Sequence, residues 1–316
     1  MARWIPTGRR LVILTVGVVL AVVIPLLYIE FFLARPIGEG PAGPSVANRP
    51  FEKPWTEHEI FLVGIGDSVT AGLGASRAEL SYFRRLVRNP SDEFPDMQGS
   101  CLNRVLPQLK VLNIGVSGTT SLEHEKTIES RLPQQESQVF GLVTFTTGGN
   151  DLIHSYGRRP PKEGAMYGAT FAEAKPWISN FEARLNRMLD SIDAKFPGGC
   201  LIFLADIYDP TDGVGDAPSV FLPAWPDGLR IHAEYNQIIH RVAGERGNVE
   251  LVPLHAAFLG HGSHCRQFWR SIYRAADPHY WYFYNIEDPN DRGYDAARRV
   301  FLNAMIGARS RFPGGS

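Results

Sequence analysis

Residues 61–72 have the sequence FLVGIGDSVTAG, an uninterrupted apolar run followed directly by small and polar residues. The apolar part, residues 61–65, carries no charge and does not alternate between apolar and polar positions. Strands that helices cover on both faces have this continuous apolarity. Asp67 and Ser68 favour a turn and the cap of a following helix. The stretch therefore predicts a buried strand that ends in a turn and opens into a helix.

Four further apolar runs of the same kind follow, at residues 111–114, 142–145, 201–204 and 249–252. Stretches with helical spacing of apolar residues separate several of these runs, and a last helical stretch follows the fifth run. Strands that alternate with helices predict a parallel sheet with helices on both faces. We therefore expect a three-layer α/β/α sandwich around a mainly parallel sheet of five strands. In such sheets ligands bind beyond the carboxyl ends of the strands.

The N-terminal segment has a different character. Residues 11–29 are apolar and uncharged, and Arg3, Arg9 and Arg10 precede them. About 20 such residues suffice to cross a bilayer, and flanking arginines favour the cytoplasmic side. A cleaved signal peptide is the competing interpretation, but its apolar region usually has about 7–15 residues and ends at small residues. We expect an uncleaved transmembrane helix with the rest of the protein outside the cytoplasm.

Composition divides the chain into three parts. Residues 1–34 form the membrane anchor or signal peptide, residues 35–56 are rich in proline and glycine, and residues 57–316 form one domain. The middle part predicts an extended tether. A net charge of -1 without a basic block gives no support to a nucleic-acid partner. Three cysteines without Cys-x-x-Cys spacing argue against a zinc ribbon or a redox site.

Three polar clusters follow the first three predicted strands: GDSVTAG at 66–72, NIGVSGTT at 113–120 and GGND at 148–151. In this order they resemble the signature blocks of the SGNH/GDSL hydrolase family, over roughly residues 60–310. The resemblance implies a flavodoxin-like sheet and a nucleophile at Ser68. It also implies that Gly118, Asn150 and the Ser68 amide donate hydrogen bonds to an oxyanion. A plain turn glycine at Gly118 and an Asx-turn at Asn150 are the alternative interpretations.

The fourth block departs from the family pattern Asp-x-x-His-Pro-Asn-x-x-Gly. Residues 285–294 have the sequence NIEDPNDRGY, so the Pro-Asn-x-x-Gly part is kept. Asp288 occupies the position of the base and Asn285 the position of the orienting acid. A carboxylate with an ordinary pKa near 4 is a poor base for a serine hydroxyl compared with imidazole, near 6.5. Either the base has moved or the protein hydrolyses nothing.

His279 is the candidate for a moved base, because it lies nine residues before Asp288 and beside Asp277. We expect its ring within hydrogen-bond reach of Ser68, with Asp277 or Asp288 orienting the other nitrogen. His264, in GHGSHC at 260–265, is the next candidate. That short cluster also has a zinc-ligand composition, but no fourth protein ligand is in view, so we expect no metal. Asp288 itself, or an absent base, remains open.

The leading hypothesis is an extracytoplasmic serine hydrolase that cleaves a carboxylic ester through an acyl-enzyme on Ser68. The alternatives are an acyltransferase acting on extracytoplasmic glycans and a non-catalytic carbohydrate-binding protein that lost its base. The expected partners are a small-molecule or glycan ester and the membrane, with no cofactor and no nucleic acid. The identity of the ester and the oligomeric state stay open.

Overall fold

The structure, a computed structural model, describes residues 7–314. Arg3 of the predicted cytoplasmic flank lies outside the described residues. Within them, five strands form one sheet: β1 (Ile60–Ile65), β2 (Leu109–Asn113), β3 (Phe140–Phe145), β4 (Cys200–Ala205) and β5 (Val249–Val252). The strand order is β2-β1-β3-β4-β5, and every neighbouring pair is parallel. This is the flavodoxin-like order, so the predicted fold class is confirmed.

The helices, in chain order, are α1 (Thr7–Tyr28), α2 (Ser68–Ala71), α3 (Tyr82–Val87), α4 (Leu102–Val105), α5 (Ser121–Arg131), α6 (Gly149–Ile153), α7 (Phe171–Lys195), α8 (Gly228–Glu245), α9 (Leu254–Phe258) and α10 (Asp291–Gly307). Helices α5, α7 and α8 pack together on one face of the sheet, and α3, α9 and α10 pack on the other. The sandwich therefore has the three predicted layers.

Successive strand residues point to opposite faces of the sheet, and both faces are buried. Leu62 and Leu142 belong to the apolar core under α3 and α10. Val63 and Val143, their next neighbours in the chain, belong to the core under α5, α7 and α8. Because side chains alternate along a strand, two covered faces require apolar residues at both odd and even positions of the strand. This explains the continuous apolar runs of the sequence.

Helix α1 and the π-helical turn that follows it, Ile29–Leu33, lie outside these cores. The apolar window Leu11–Leu33 has 23 residues, none of them buried. At about 1.5 Å per residue it is roughly 34 Å long, against about 30 Å for the hydrocarbon core of a bilayer. By length and composition the helix fits a signal anchor or a signal peptide.

Residues 35–56, predicted to be an extended tether, pack along α10. The Ala42 N–H donates to Asp295 Oδ2 at 3.0 Å. Phe51 and Trp55 are buried in the core under α10, and their rings contact each other at a centroid distance of 5.6 Å. Prolines and glycines indicated an extended chain, but the few apolar side chains between them bind it to the domain.

Candidate active site

The turn after β1 positions Ser68. Gly66 has a φ of +148°, and a Cβ at this residue would lie 2.2 Å from Thr146 Oγ1, so only glycine fits. Asp67 caps α2, because its Oδ1 accepts a hydrogen bond from the Val69 N–H at 3.1 Å. Ser68 is thereby fixed as the first residue of α2, at the wall of a pocket.

A buried hydrogen-bond chain holds Asp67 in turn. Its Oδ1 accepts from Thr146 Oγ1 at 3.1 Å, Thr146 bonds to Thr70 at 2.9 Å, and Thr70 bonds to the Tyr82 hydroxyl at 2.7 Å. Burial raises the pKa of Asp67 to about 6, and the nearby charge of Asp288 adds to the rise. Two carboxyl groups therefore lie close together beside Ser68.

Asn150, on α6, lines the same pocket as Ser68. Its Nδ2 donates to the Thr119 carbonyl oxygen at 2.8 Å, which leaves a second N–H for another acceptor. Gly118, the next residue toward β2, has a φ of +80° and is exposed at the edge of this arrangement. Because β2 and β3 flank β1 in the sheet, the loops that follow them flank Ser68. The three predicted oxyanion residues thus share one end of the sheet.

The Pro-Asn-x-x-Gly sequence fixes the start of α10. Asn290 Oδ1 accepts from the Arg292 and Gly293 N–H groups at 3.0 Å, and its Nδ2 donates to the carbonyl oxygens of residues 280 and 282 at 2.9 and 3.1 Å. A Cβ on Gly293 would lie 2.2 Å from the carbonyl oxygen of residue 281. This cap therefore holds the chain before α10 in one position, and Asp288 with it.

Asp288 faces the candidate nucleophile. Its side chain is 1% exposed, and its Oδ2 accepts a hydrogen bond from Asn285 Nδ2 at 2.6 Å. Burial raises the Asp288 pKa. The nearby Ser68 hydroxyl and the Asn285 amide lower it by less, so the pKa stays above its ordinary value. Among the described residues Oδ1 has no hydrogen-bond partner of standard geometry. Oδ1 is therefore a buried acceptor with unused hydrogen-bonding capacity.

His279 lies elsewhere. Its Nδ1 pairs with Asp277 Oδ1 at 2.5 Å, and Arg292 Nη2 donates to the same oxygen at 2.6 Å. The His279 ring packs against Gly38 of the N-terminal segment, where a Cβ would lie 2.6 Å away. Burial raises the pKa of Asp277, but the bonds from His279 and Arg292 outweigh it, and the pKa is lowered. The structure brings His279 and Asp277 together, and it does not bring them to the pocket that Ser68 lines.

His264 is also engaged away from Ser68. Its Nε2 pairs with Asp216 Oδ1 at 2.8 Å, and its backbone N–H donates to Asp212 at 2.9 Å. His261 stacks on Trp281 with ring centroids 3.4 Å apart. Between residues 7 and 314 no group of three or more His, Cys, Asp or Glu side chains is arranged to hold a metal ion. These histidines brace the loop after α9.

The pocket itself was not predicted from the sequence. It has a volume of about 150 Å³, and most of its walls are apolar. The lining includes Leu152, Ile153, Tyr156, Tyr167, Ile207, Tyr208, Val220, Leu222, Trp225, Leu229 and Leu254. Many of these residues belong to irregular segments between β4 and α8, where no periodicity marks a side chain as inward-facing. One histidine, His232, shares the pocket, but its Nε2 is engaged by the Ile207 carbonyl oxygen at 2.8 Å.

Several solved structures resemble this chain at low sequence identity. One is a member of the lipolytic G-D-S-L family from Veillonella parvula, with 12% identity, a TM-score of 0.47, and coverage of 80% of this chain and 100% of the other. Another is Axe2, an acetylxylan esterase from Geobacillus stearothermophilus, with 18% identity, a TM-score of 0.47, and coverage of 79% and 94%. A third is TesA, with 16% identity, a TM-score of 0.45, and coverage of 78% and 97%.

A search of curated proteins found no match. The sequence profile of the GDSL-like lipase/acylhydrolase family, in contrast, matches residues 65–296, which include Ser68, Gly118, Asn150 and Asp288. The match spans well over half of the sequence, and the chain therefore belongs to the GDSL-like lipase/acylhydrolase family of ester hydrolases.

Proposed function

We propose that the protein is an extracytoplasmic ester hydrolase that forms an acyl-enzyme on Ser68, with Asp288 as the proton acceptor. One observation carries the proposal: the carboxyl of Asp288 is buried beside the Ser68 hydroxyl, and its Oδ1 has no hydrogen-bond partner within residues 7–314. A buried acceptor without a partner is costly, and such groups are concentrated at functional sites.

The reaction follows from these positions. Ser68 Oγ attacks the ester carbonyl carbon, and its proton passes to Asp288 Oδ1. The Asn150 amide and the Ser68 and Gly118 N–H groups stabilise the oxyanion of the tetrahedral intermediate. The C–O bond of the leaving alcohol then breaks, and the alkoxide takes the proton from Asp288. Water attacks the acyl-enzyme by the same route, with Asp288 again accepting and returning the proton.

Asn285 and Asp288 reverse the hydrogen-bond donor and acceptor of the family pair. A histidine base needs an acceptor to orient its N–H, which an aspartate supplies. A carboxylate base needs a donor instead, and the Asn285 amide donates to Oδ2 at 2.6 Å. Burial raises the Asp288 pKa above the ordinary value that makes a carboxylate a poor base. The two departures from the family pattern are therefore consistent with each other.

The pocket favours an ester with an apolar group. Its walls near Ser68 and Asn150 are formed by side chains such as Leu152, Ile153 and Leu229. Burying a methylene group against such walls contributes about 0.8 kcal/mol, so each added carbon should strengthen binding until the pocket is full. We propose an acyl chain longer than acetyl, rather than an acetylated sugar, as the group bound there.

The location follows from α1. Its apolar window Leu11–Leu33 is long enough to span a bilayer, and the arginines that precede it favour the cytoplasmic side. Under this proposal, residue 35 and the domain that follows lie outside the cytoplasm.

The test is activity of the full-length protein in detergent against nitrophenyl esters from acetyl to long acyl chains, together with labelling by a fluorophosphonate probe. We expect labelling that is lost in Ser68→Ala, and kcat/KM that rises from acetyl to longer chains. Transfer of the acyl group to an added alcohol in preference to water would indicate an acyltransferase. Absence of both labelling and turnover would contradict the proposal and favour a binding protein.

A further inference from the structure

The loop after α9 combines exposed aromatic rings with arginines. Residues 266–274 have the sequence RQFWRSIYR, with Phe268 61% and Trp269 50% exposed. Single exposed apolar residues are ordinary on protein surfaces, but an adjacent pair of large aromatic residues flanked by Arg266 and Arg270 is unusual. Aromatic rings and arginines together are typical of the boundary between a membrane and water.

This loop contacts the end of the candidate membrane helix. The Phe31 ring lies 5.5 Å from Phe268 and 5.3 Å from Trp269, and the Phe32 ring lies 5.9 Å from Trp269, between centroids. Gln267 Nε2 donates to the Phe31 carbonyl oxygen at 3.2 Å. Polar contacts thus accompany the packing of the rings.

These contacts fix the depth of the loop relative to α1. If the window Leu11–Leu33 crosses the bilayer, its last turn with Phe31 and Phe32 lies at the outer interface. Trp269 is in ring contact with both residues, so it lies at the same level. Its exposed half faces whatever surrounds that turn, which at this level is lipid headgroups and the outer ends of acyl chains.

We propose that residues 266–274, together with Phe31 and Phe32, form a lipid-docking surface that holds the domain against the outer face of the membrane. The occupant is the bilayer itself, because the surface is continuous with the helix that enters it. Arg270 and Arg274 meet the headgroup phosphates, and the two exposed rings insert between the headgroups.

The docking surface also adjoins the pocket. Arg35, two residues after the end of the π-helical turn, donates to the Ser219 carbonyl oxygen at 3.0 Å. Val220 and Leu222 line the pocket, and Phe221 between them is 83% exposed. Docking therefore holds this pocket wall beside the membrane, and the ester that reaches it is a lipid-borne one. This last step rests on the proposed hydrolase function.

The docking itself is tested by spin labelling of the full-length protein reconstituted in phosphatidylcholine–phosphatidylglycerol vesicles. Cys101, Cys200 and Cys265 are buried and unpaired, so a cysteine introduced at an exposed position is labelled selectively. A label at Trp269→Cys should be accessible to oxygen and shielded from a water-soluble nickel chelate. The matched label at Lys126→Cys, on α5 of the opposite layer, should be accessible to the chelate.

Equal access of the chelate to both labels would overturn the docking surface, as would a label at 269 shielded from oxygen and chelate alike, which indicates a protein partner. The pocket step has a separate readout. The Phe268→Ser/Trp269→Ser variant should lose about tenfold of its kcat/KM on a vesicle-borne long-chain ester, equivalent to about 1.4 kcal/mol, and keep its rate on a dissolved short-chain ester. An equal loss on both substrates would overturn that step. If the wild type hydrolyses neither ester, the hydrolase proposal is contradicted, and the spin-label measurement alone then tests the docking surface.

Discussion

Two polar clusters lie on either side of the segment 280–284, and only one of them adjoins the candidate nucleophile. In the first, Asp288 accepts a hydrogen bond from Asn285, lies beside Ser68 and has a buried Oδ1 without a partner within the described chain. In the second, Asp277 accepts from His279 and Arg292, at 2.5 and 2.6 Å. The first cluster holds a buried acceptor with unused capacity beside the candidate nucleophile. In the second, hydrogen bonds from His279 and Arg292 occupy the acceptor.

The difference indicates that position in the motif, rather than residue type, decides which side chain lies beside Ser68. A histidine beside an aspartate has the composition of a catalytic pair, yet His279 packs against Gly38 of the N-terminal segment. Asp288 has the less suitable side chain, but the Asn290 cap places it at Ser68. Where hydrogen-bonding capacity is satisfied the role is structural, and where it is left open beside a nucleophile a chemical role is favoured.

The largest expected effect is that of Ser68→Ala. Removing the nucleophile should lower kcat by at least about a thousandfold, measured with a nitrophenyl ester, because no acyl-enzyme can form. The midpoint of thermal unfolding should change little, since the hydroxyl lies at a pocket wall. Ser130→Ala, on the exposed face of α5, is the matched control and should retain full activity. Retained turnover in Ser68→Ala would remove the first cluster from the reaction.

Asp288→Asn should lower kcat by about a hundredfold or more, the usual contribution of a general base. The substitution keeps the shape of the side chain and removes the carboxylate that can accept the Ser68 proton. Fluorophosphonate labelling should slow in parallel. Asp190→Asn, an exposed partner of Arg246, serves as the matched control for loss of one carboxylate. Wild-type turnover in Asp288→Asn would show that the unused acceptor has no chemical role.

Asp67, beside the first cluster, and Asp277, in the second, should also contribute to stability with opposite pH dependence. The pKa of Asp67, beside Ser68, is raised from 3.8 to about 6, so its contribution to stability is complete below pH 3.8 and is lost as pH rises through 6. The shift corresponds to roughly 3 kcal/mol. The pKa of Asp277 is lowered, so its contribution is present above pH 3.8 and is lost as pH falls.

Denaturant unfolding between pH 3 and 8 checks these signs. Asp67→Asn should gain stability over the wild type as pH rises from about 4 to about 6, and Asp277→Asn should lose stability relative to the wild type at neutral pH. Parallel curves for the wild type and Asp67→Asn would show that the Asp67 pKa is not raised.

The smallest effect is expected for His279→Ala. Because its ring pairs with Asp277 and contacts Gly38, kcat should stay within about threefold of the wild type. Removal of a general base would lower kcat by about a hundredfold or more. A small drop in the unfolding midpoint is the expected cost of the lost contacts. A loss of a hundredfold in kcat would return the role of base to His279 and remove it from Asp288.

The sequence was sufficient for the fold, because two-sided burial of each strand is visible as continuous apolarity. It was also sufficient to predict that Ser68 and Asn150 lie at the same end of the sheet, because the polar clusters follow neighbouring parallel strands. It could not predict the raised pKa of Asp288, since burial by distant segments is not visible in a local pattern. The apolar pocket and the packing of residues 35–56 were not predicted either, because irregular segments carry no periodicity.

The most direct test of the central claim is the pH dependence of kcat/KM in the wild type and in the double variant Asn285→Asp/Asp288→His. With Asp288 as the base, the wild type should lose activity at acid pH with a carboxyl pKa that hardly changes with temperature. The double variant, which has the family pair, should be active. Its kcat/KM profile should have an acid-side pKa near 6.5, and that pKa should shift with temperature as an imidazole pKa does. The assignment of Asp288 would be contradicted if the acid-side pKa of the wild type already shifts with temperature as an imidazole pKa does, and if it is absent from the profile when His279 or His232 is replaced by glutamine.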